Sequence, residues 1–277
     1  MSINNLLRRL EHDSYLAIEW FQSNYMKLNE GKCHLLILGF KHEVMWANIG
    51  EKNIWESNEE KLLGLNIDRE LKFTSHVSKI CDKAGQKLAA ISRIAKFMSL
   101  DQRRILIKSF FESQFNYCSL SWMFHSRILN NRINDLHYRA LRLTYIDRSM
   151  SFNQLLEIDG SVTIHHRNIQ KLATELYKVK HNISPIFMHD IFPKRNYNGQ
   201  NLRSQTDFKV PLINTTNYGE DTLRFIGPKI WAIIPDSIKE ASSLSIFKNK
   251  IKKWVPEKCP CRLCKDYVHG LGYLSIT

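Results

Sequence analysis

Apolar residues in the first 28 positions recur at helical spacing, as Ile3, Leu6, Leu10, Ala17 and Trp20 or Phe21. They predict an amphipathic helix over residues 3–28, weakest at Asp13 and Ser14. Asn29 to Gly31 supply its stop, because glycine is free to take the left-handed conformation that ends helices. The run from Cys33 to Leu38 has no helical spacing and predicts a buried strand. Val44 to Trp46 and Ile54 with Trp55 predict two edge strands, with turn chemistry at Gly50 to Asn53 between them. Leu62 to Ile67 reads as a further strand, in which Gly64 marks a bend or a close backbone approach.

The pattern then becomes helical. Phe73, Val77, Ile80, Ala84, Leu88, Ile91 and Ile94 step by threes and fours over more than five turns, roughly the length at which packing rather than propensity sustains a helix. Ser99 and Gln102 have capping-box spacing and open a helix through Ile105, Ile107, Phe110, Ser113 and Tyr117. A third helix uses Ile133, Leu136, Ala140 and Leu143. A fourth starts near Thr163, uses Ile169, Leu172, Leu176 and Val179, and ends before Pro185. Beyond residue 192 the chain turns polar, basic and irregular. Phe208 to Pro211 reads as extended because the residue before proline avoids helical backbone. Pro228 suits the first position of a short helix, and Ser245 to Trp254 predicts a last, basic one. The expected fold class is therefore α+β, with a small mixed unit at 1–70, a helical domain at 71–190 and a basic extension at 191–277.

Composition adds a partner class. Hydrophobic residues make up 43% and charged residues 24% of the 277 positions, the balance of a chain that can bury a core. Net charge is +13, which draws the chain to polyanions, nucleic acid above all. No signal-peptide core and no run of 18 apolar residues is present, so neither secretion nor a membrane span is expected and the address is nuclear or cytoplasmic. Of six cysteines, Cys33, Cys81 and Cys118 are isolated among apolar residues and read as buried free thiols.

Two blocks carry a resemblance. Trp20, Phe21, Asn24, Met26, Leu28, Asn29, Lys32 and Cys33 form one; Lys61, Leu63, Gly64, Leu65, Ile67 and Asp68 form the other. They resemble the segments after the catalytic Tyr-x-Asp-Asp turn in reverse transcriptases of LINE-type retrotransposons, those without long terminal repeats. The likeness continues through Leu71 to Val77, through Ser109, Tyr117, Cys118 and Trp122, through Arg132 to Arg142, and through Arg224 to Trp231 and Ser243 to Trp254. It implies a palm remnant with a primer-grip-like hairpin over 1–70, a thumb over 71–190 and a downstream extension with a Cys-rich tail. It also implies that Lys32 matches a lysine lying near the incoming nucleotide. The fingers, the first metal-binding aspartate and the Asp-Asp pair have no counterpart here. The parent enzyme would use magnesium, held by carboxylates around the reacting phosphate. Asp13 and Asp68 are isolated by comparison, so no catalytic residue and no cofactor-binding residue is expected.

What remains is electrostatic. Lys72, Lys79, Lys83 and Lys87, with Lys96 near the same stripe, form a cationic row on the first long helix, with Arg93, Arg103, Arg104 and Lys108 nearby. Arg132, Arg139 and Arg142 share one side of another helix. Such rows follow a phosphate backbone without reading bases. The expected partner is RNA or an RNA–DNA duplex. His165 and His166 point to different sides of a helix start and read as structural or solvated. Cys259, Cys261 and Cys264 are dense enough for zinc, with His269 as the nearest fourth ligand in sequence. Cys259 and Cys261 stand one proline apart, a poor chelate spacing, so no metal ligand and no cofactor is expected. The function read from the chain is a truncated RNA-directed DNA polymerase fragment that binds nucleic acid without catalysis. A functionless mobile-element remnant and a domesticated helical interaction module stay open beside it.

Overall fold

In the computed structural model, residues 2–39, 43–195, 207–215, 219–257, 259–265, 267–268 and 272–273 are described. The chain divides into two compact units, Met1–His76 and Val77–Thr277. The architecture is α+β, a small region of hairpins followed by a largely helical one.

In the first unit, α1 (Ile3–Ser23) starts at Ser2, whose hydroxyl accepts the Asn5 N–H. It runs unbroken through Asp13 and Ser14 but stops ahead of the expected Asn29–Gly31 signal. The Asn24 side chain donates to the Trp20 carbonyl at 2.8 Å, and Tyr25 takes φ 58°. The helix is amphipathic, yet none of its residues is buried. Ile3 and Leu7 pack against Leu35, Ile37 and Ala47. The strand expected at Cys33–Leu38 is absent. Leu35 and Ile37 are buried in extended alternation, but only Leu35 bridges another segment, at Glu56. Strands β1 (Trp46–Ile49) and β2 (Lys52–Trp55) form the expected hairpin, with Trp46 opposite Trp55 and Gly50 at φ 66°.

The single strand expected at Leu62–Ile67 is instead the tip of a second hairpin, β3 (Glu59–Leu62) with β4 (Leu65–Asp68). Leu62 pairs with Leu65 across Leu63 (φ 48°) and Gly64 (φ 89°). Two successive positive φ angles match the right-handed twist of the strands. Gly64 is therefore the bend that the sequence suggested.

The next helix, α2 (Thr74–Ile94), buries Val77, Cys81, Ala84, Leu88 and Ile91, while Ile94 lies exposed. Burial pushes the Cys81 thiol up to about 11. After it come α3 (Leu100–Leu106), a π-helical turn at Ile107–Phe111 and a 3-10 turn at Glu112–Phe115. The Ser99–Gln102 capping box forms as the spacing predicts. Next are α4 (Ser119–Trp122), α5 (Arg127–Tyr145), α6 (Phe152–Asp159) and α7 (Ile164–Lys180), the last capped by Thr163. Cys118 precedes α4 in left-handed backbone and is exposed, and Cys33 is only partly covered; of the three thiols expected to be buried, Cys81 is.

Four further helices follow: α8 (Phe187–Ile191), α9 (Leu223–Ile233), α10 (Asp236–Lys239) and α11 (Leu244–Ile251). Pro228 sits inside α9 rather than at its first position, since the helix starts five residues earlier. Gly227 beside it has a steric reason. A Cβ there would stand 2.5 Å from the Phe192 ring. The chain closes with α12 (Arg262–Lys265) and a two-stranded pair, β5 (Tyr267–Val268) and β6 (Gly272–Tyr273).

One hydrophobic cluster joins α7 to the region after residue 191. Ile169, Leu172, Ala173, Leu176 and Tyr177 meet Phe192, Phe208, Ile230, Trp231, Phe247, Ile251, Cys261 and Leu263. The helical segment expected at 71–190 and the extension expected from 191 thus share a core. Polar ties reinforce it. Tyr177 donates its hydroxyl to the Ala241 carbonyl at 2.6 Å, and Gln170 donates to the carbonyls of Lys252 and Trp254 at 3.2 and 2.9 Å. No described helix is long and apolar enough to cross a membrane.

Candidate functional site

The cations from Lys72 onward differ in burial and in what they contact. Arg103 is buried, and its guanidinium donates to the carbonyls of Thr144 (2.7 Å), Met98 and Ala95. Arg104 donates to the Tyr145 hydroxyl at 2.6 Å, and that hydroxyl donates to Asp159 at 2.9 Å. Arg132 reaches from α5 to Ser78 and Asp82 of α2. These three, expected in the cationic rows, serve as ties between helices. Lys72 precedes α2 and pairs with Glu70. Lys79 and Lys83 are exposed on α2, on the side away from Val77, Cys81, Ala84 and Leu88.

A second set converges elsewhere. Between α2 and α5 lies an open groove of about 480 Å³ lined by Leu88, Ala89, Ser92, Lys96, Arg139, Arg142, Leu143, Ile146 and Arg148, among others. Its lining carries four cationic side chains and, among the described residues, no Asp or Glu. Two of the four are braced by rings. The Lys96 ammonium stands 4.8 Å from the Phe97 ring centroid and the Arg142 guanidinium 5.3 Å from that of Tyr138. Such contacts add attraction without neutralising charge. Ile146 ends α5 at φ 52°. Left-handed backbone is strained for a β-branched residue, and here it turns the chain sharply between Arg142 and Arg148. The N–H groups of Met150 and Ser149 hold the Asp147 carboxyl below its ordinary range, with a smaller contribution from the Arg142 charge. Arg139 and Arg142 were expected to share a face. The contributions of Lys96 and Arg148 follow only from how the helices pack.

The carboxylates form no comparable site. Asp13 is exposed on α1. Asp68 accepts the N–H groups of Glu70, Lys72 and Phe73 at 3.1, 3.0 and 2.6 Å, which commits it to the turn before α2. Lys32 lies exposed in a short 3-10 turn at Glu30–Lys32.

Among the described residues, one group of potential metal ligands converges: His165, Cys259, Cys261 and Cys264, with ligand atoms all within 4.8 Å of one another. His165 Nε2 lies 3.1 Å from Cys261 Sγ, and Cys259 Sγ lies 3.3 Å from Cys261 Sγ. The local build explains the meeting. Thr163 starts α7, which places His165 in its first turn, on the face that continues to the buried Asn168, Ile169 and Leu172. Gln170 then fixes the chain after α11 along α7, and Cys261 and Leu263 enter the shared core. Hydrogen bonds from the Cys259 and Cys264 thiols draw Cys261 strongly toward the thiolate, and the same bond to Cys261 pushes Cys259 up to about 12. His165, expected to be structural or solvated, is the residue that completes the set. The alternative, His269, lies outside the described residues. Adjacent His166 is half-buried and stands outside the cluster, as expected for neighbours on a helix.

In comparison with known proteins, the chain matches no family model, and no curated sequence and no solved structure is significantly similar to it.

Proposed function

We propose that this chain is a nucleic-acid-binding fragment of a LINE-type reverse transcriptase that does not itself polymerise. Its contact would be the groove between α2 and α5. The observation that carries this reading is the convergence of Lys96, Arg139, Arg142 and Arg148 on one carboxylate-free concave surface. Arg139 and Arg142 come from α5, Lys96 from the 3-10 turn after α2 and Arg148 from the bend after α5, and several separate cations suit a phosphate backbone better than a single small anion. The charged side chains of the lining pair with phosphate oxygens, contacts that carry no sequence information, so binding would be indifferent to sequence. The sequence contains no adjacent pair of aspartates, and neither Asp13 nor Asp68 joins a ligand cluster among the described residues.

The test is a titration of labelled RNA–DNA duplex at several salt concentrations. Four phosphate contacts give a log–log salt slope of about −3 to −4. Changing Arg139 and Arg142 together to glutamate should weaken binding to all sequences alike and flatten that slope by about two. Unaltered affinity in that variant, with loss of binding when Lys79, Lys83 and Lys87 become glutamate, would move the contact to the opposite side of α2. On a primed RNA template with magnesium and nucleotides, the chain should give no more extension than a blank, because it brings no carboxylate set to hold two metal ions. Extension above the blank would refute the non-catalytic part of the reading.

A further inference from the structure

We infer that His165, Cys259, Cys261 and Cys264 bind one zinc ion in a closed, structural site that fastens residues 259–264 to the start of α7. The donor set is three sulfurs and one imidazole nitrogen, which is a recognised tetrahedral set for structural zinc. Each side chain offers one ligand atom, and all four atoms lie within 4.8 Å of one another. Around a tetrahedral zinc with sulfurs at 2.3 Å, ligand atoms stand roughly 3.5–3.8 Å apart. The separations of 3.1 and 3.3 Å are close to that and far from the 2.05 Å of a disulfide.

The surroundings fit a closed site. Cys261 is 1% exposed and His165 5%, so bulk water reaches the centre poorly. His165 Nε2 faces the cluster, while Nδ1 has no hydrogen-bond partner among the described residues. The ring's orientation is therefore set from the cysteine side. One buried and two partly buried thiols beside an imidazole have few ways to satisfy one another. A divalent cation satisfies all four at once. On binding, the S–H bonds of the cysteines that are still protonated break, three Zn–S bonds and one Zn–N bond form, and the released protons leave to solvent. The product carries one net negative charge. It lies at the N-terminal turn of α7, where the helix dipole favours negative charge. A chelate made of Cys259 and Cys261 alone would be poor, since one proline separates them. Cys264, a turn of α12 later, and His165 from another helix relieve that geometry.

The full chain, expressed with zinc and purified without chelator, should carry about one zinc per chain by native mass spectrometry. X-ray absorption at the zinc edge should give three sulfurs near 2.3 Å and one nitrogen near 2.0–2.1 Å. Cys264→Ser and His165→Ala should each lose the metal, whereas His166→Ala and His269→Ala should keep it. The absorption spectrum of the unaltered chain reports the ligand set even where a variant fails to fold. Metal-free protein, a disulfide between Cys259 and Cys261, copper or iron in place of zinc, or zinc lost from His269→Ala but kept in His165→Ala would each overturn the assignment.

Discussion

Replacing Trp231 by alanine should cost the second unit about 3–5 kcal/mol of stability. Trp231 is 1% exposed and stands at the junction of three segments. Its ring stacks on Phe247 at 6.2 Å and meets Phe208 edge-on at 5.7 Å, and the Lys180 ammonium lies 5.6 Å from its centroid. Its indole N–H donates to Asp207 Oδ2 at 2.6 Å, and Lys180 reaches the same oxygen at 2.9 Å. Alanine leaves a cavity that α7, α9 and α11 would have to close together. Phenylalanine separates the contributions. It keeps most of the ring contact and removes the N–H, so about 1–2 kcal/mol should be lost. Burial works to raise the Asp207 pKa, but Lys180 and Trp231 outweigh it and hold the carboxyl below its ordinary 3.8. A depressed carboxylate pKa contributes stability above that value, lost as pH falls through the folded one. The Trp231→Phe penalty should therefore shrink below about pH 4. Guanidinium unfolding curves measure both effects, and a Trp231→Ala midpoint no lower than that of an exposed control would show that the core closes without it.

The second large effect is acid sensitivity from His137. Its ring is fully buried between Phe111, stacked at 6.2 Å, and Phe152, edge-on at 5.5 Å. Neither ring nitrogen has a hydrogen-bond partner among the described residues. Burial, assisted by the nearby Arg167 charge, lowers its pKa from 6.5 to about 3. Between those values the unfolded chain binds a proton that the folded chain refuses, so stability falls as pH falls. At 1.36 kcal/mol per pKa unit, the loss between pH 7 and pH 4 is about 3 kcal/mol. His137→Leu should remove that component and should be neutral or stabilising at pH 7, because no bonded polar group is lost. If the variant's stability falls with acid as steeply as that of the parent chain, the proton is taken up elsewhere.

The long helices α2, α5 and α7 were legible because each buries one face at three- and four-residue spacing, whereas α4 and α6 were not expected and the helix expected through Tyr117 gives way after Leu106 to a π turn and a 3-10 turn. Val77, Ala84, Leu88 and Ile91 on α2 and Ile169, Leu172 and Leu176 on α7 read directly as core. The hydrophobic pattern hid the hairpin at Leu62–Leu65, which only the resemblance implied, since Leu63 is apolar and a left-handed leucine leaves no polar mark. The Cys33–Leu38 run had the burial of a strand but no partner aligned with it. At the sites, the sequence supplied the residues but not their neighbours. One helix cannot reveal that Asp82 takes Arg132 or that Asp159 and Tyr145 take Arg104, so every cation looked available. His165 lies 94 positions before Cys259, and no spacing rule spans that distance. What could have singled it out was a histidine on the buried face of α7, the same face as Ile169 and Leu172.

The polar ties of the second unit also set an order in time. Arg103 to Thr144 spans 41 residues and Arg132 to Ser78 spans 54, whereas Tyr177 to Ala241 spans 64, Gln170 to Trp254 spans 84 and His165 to Cys261 spans 96. Closing a longer loop costs more chain entropy before any contact repays it, though the cost grows only slowly with length. Contacts of such separation also slow folding. Trp231 and Lys180 meet Asp207 over only 24 and 27 residues, so α9 can join α7 early, and refolding should assemble the layer of α2, α3 and α5 ahead of the seam that carries α11 and the cysteines. That seam would be the late-forming part, and the first to open when the chain is pulled from its far end.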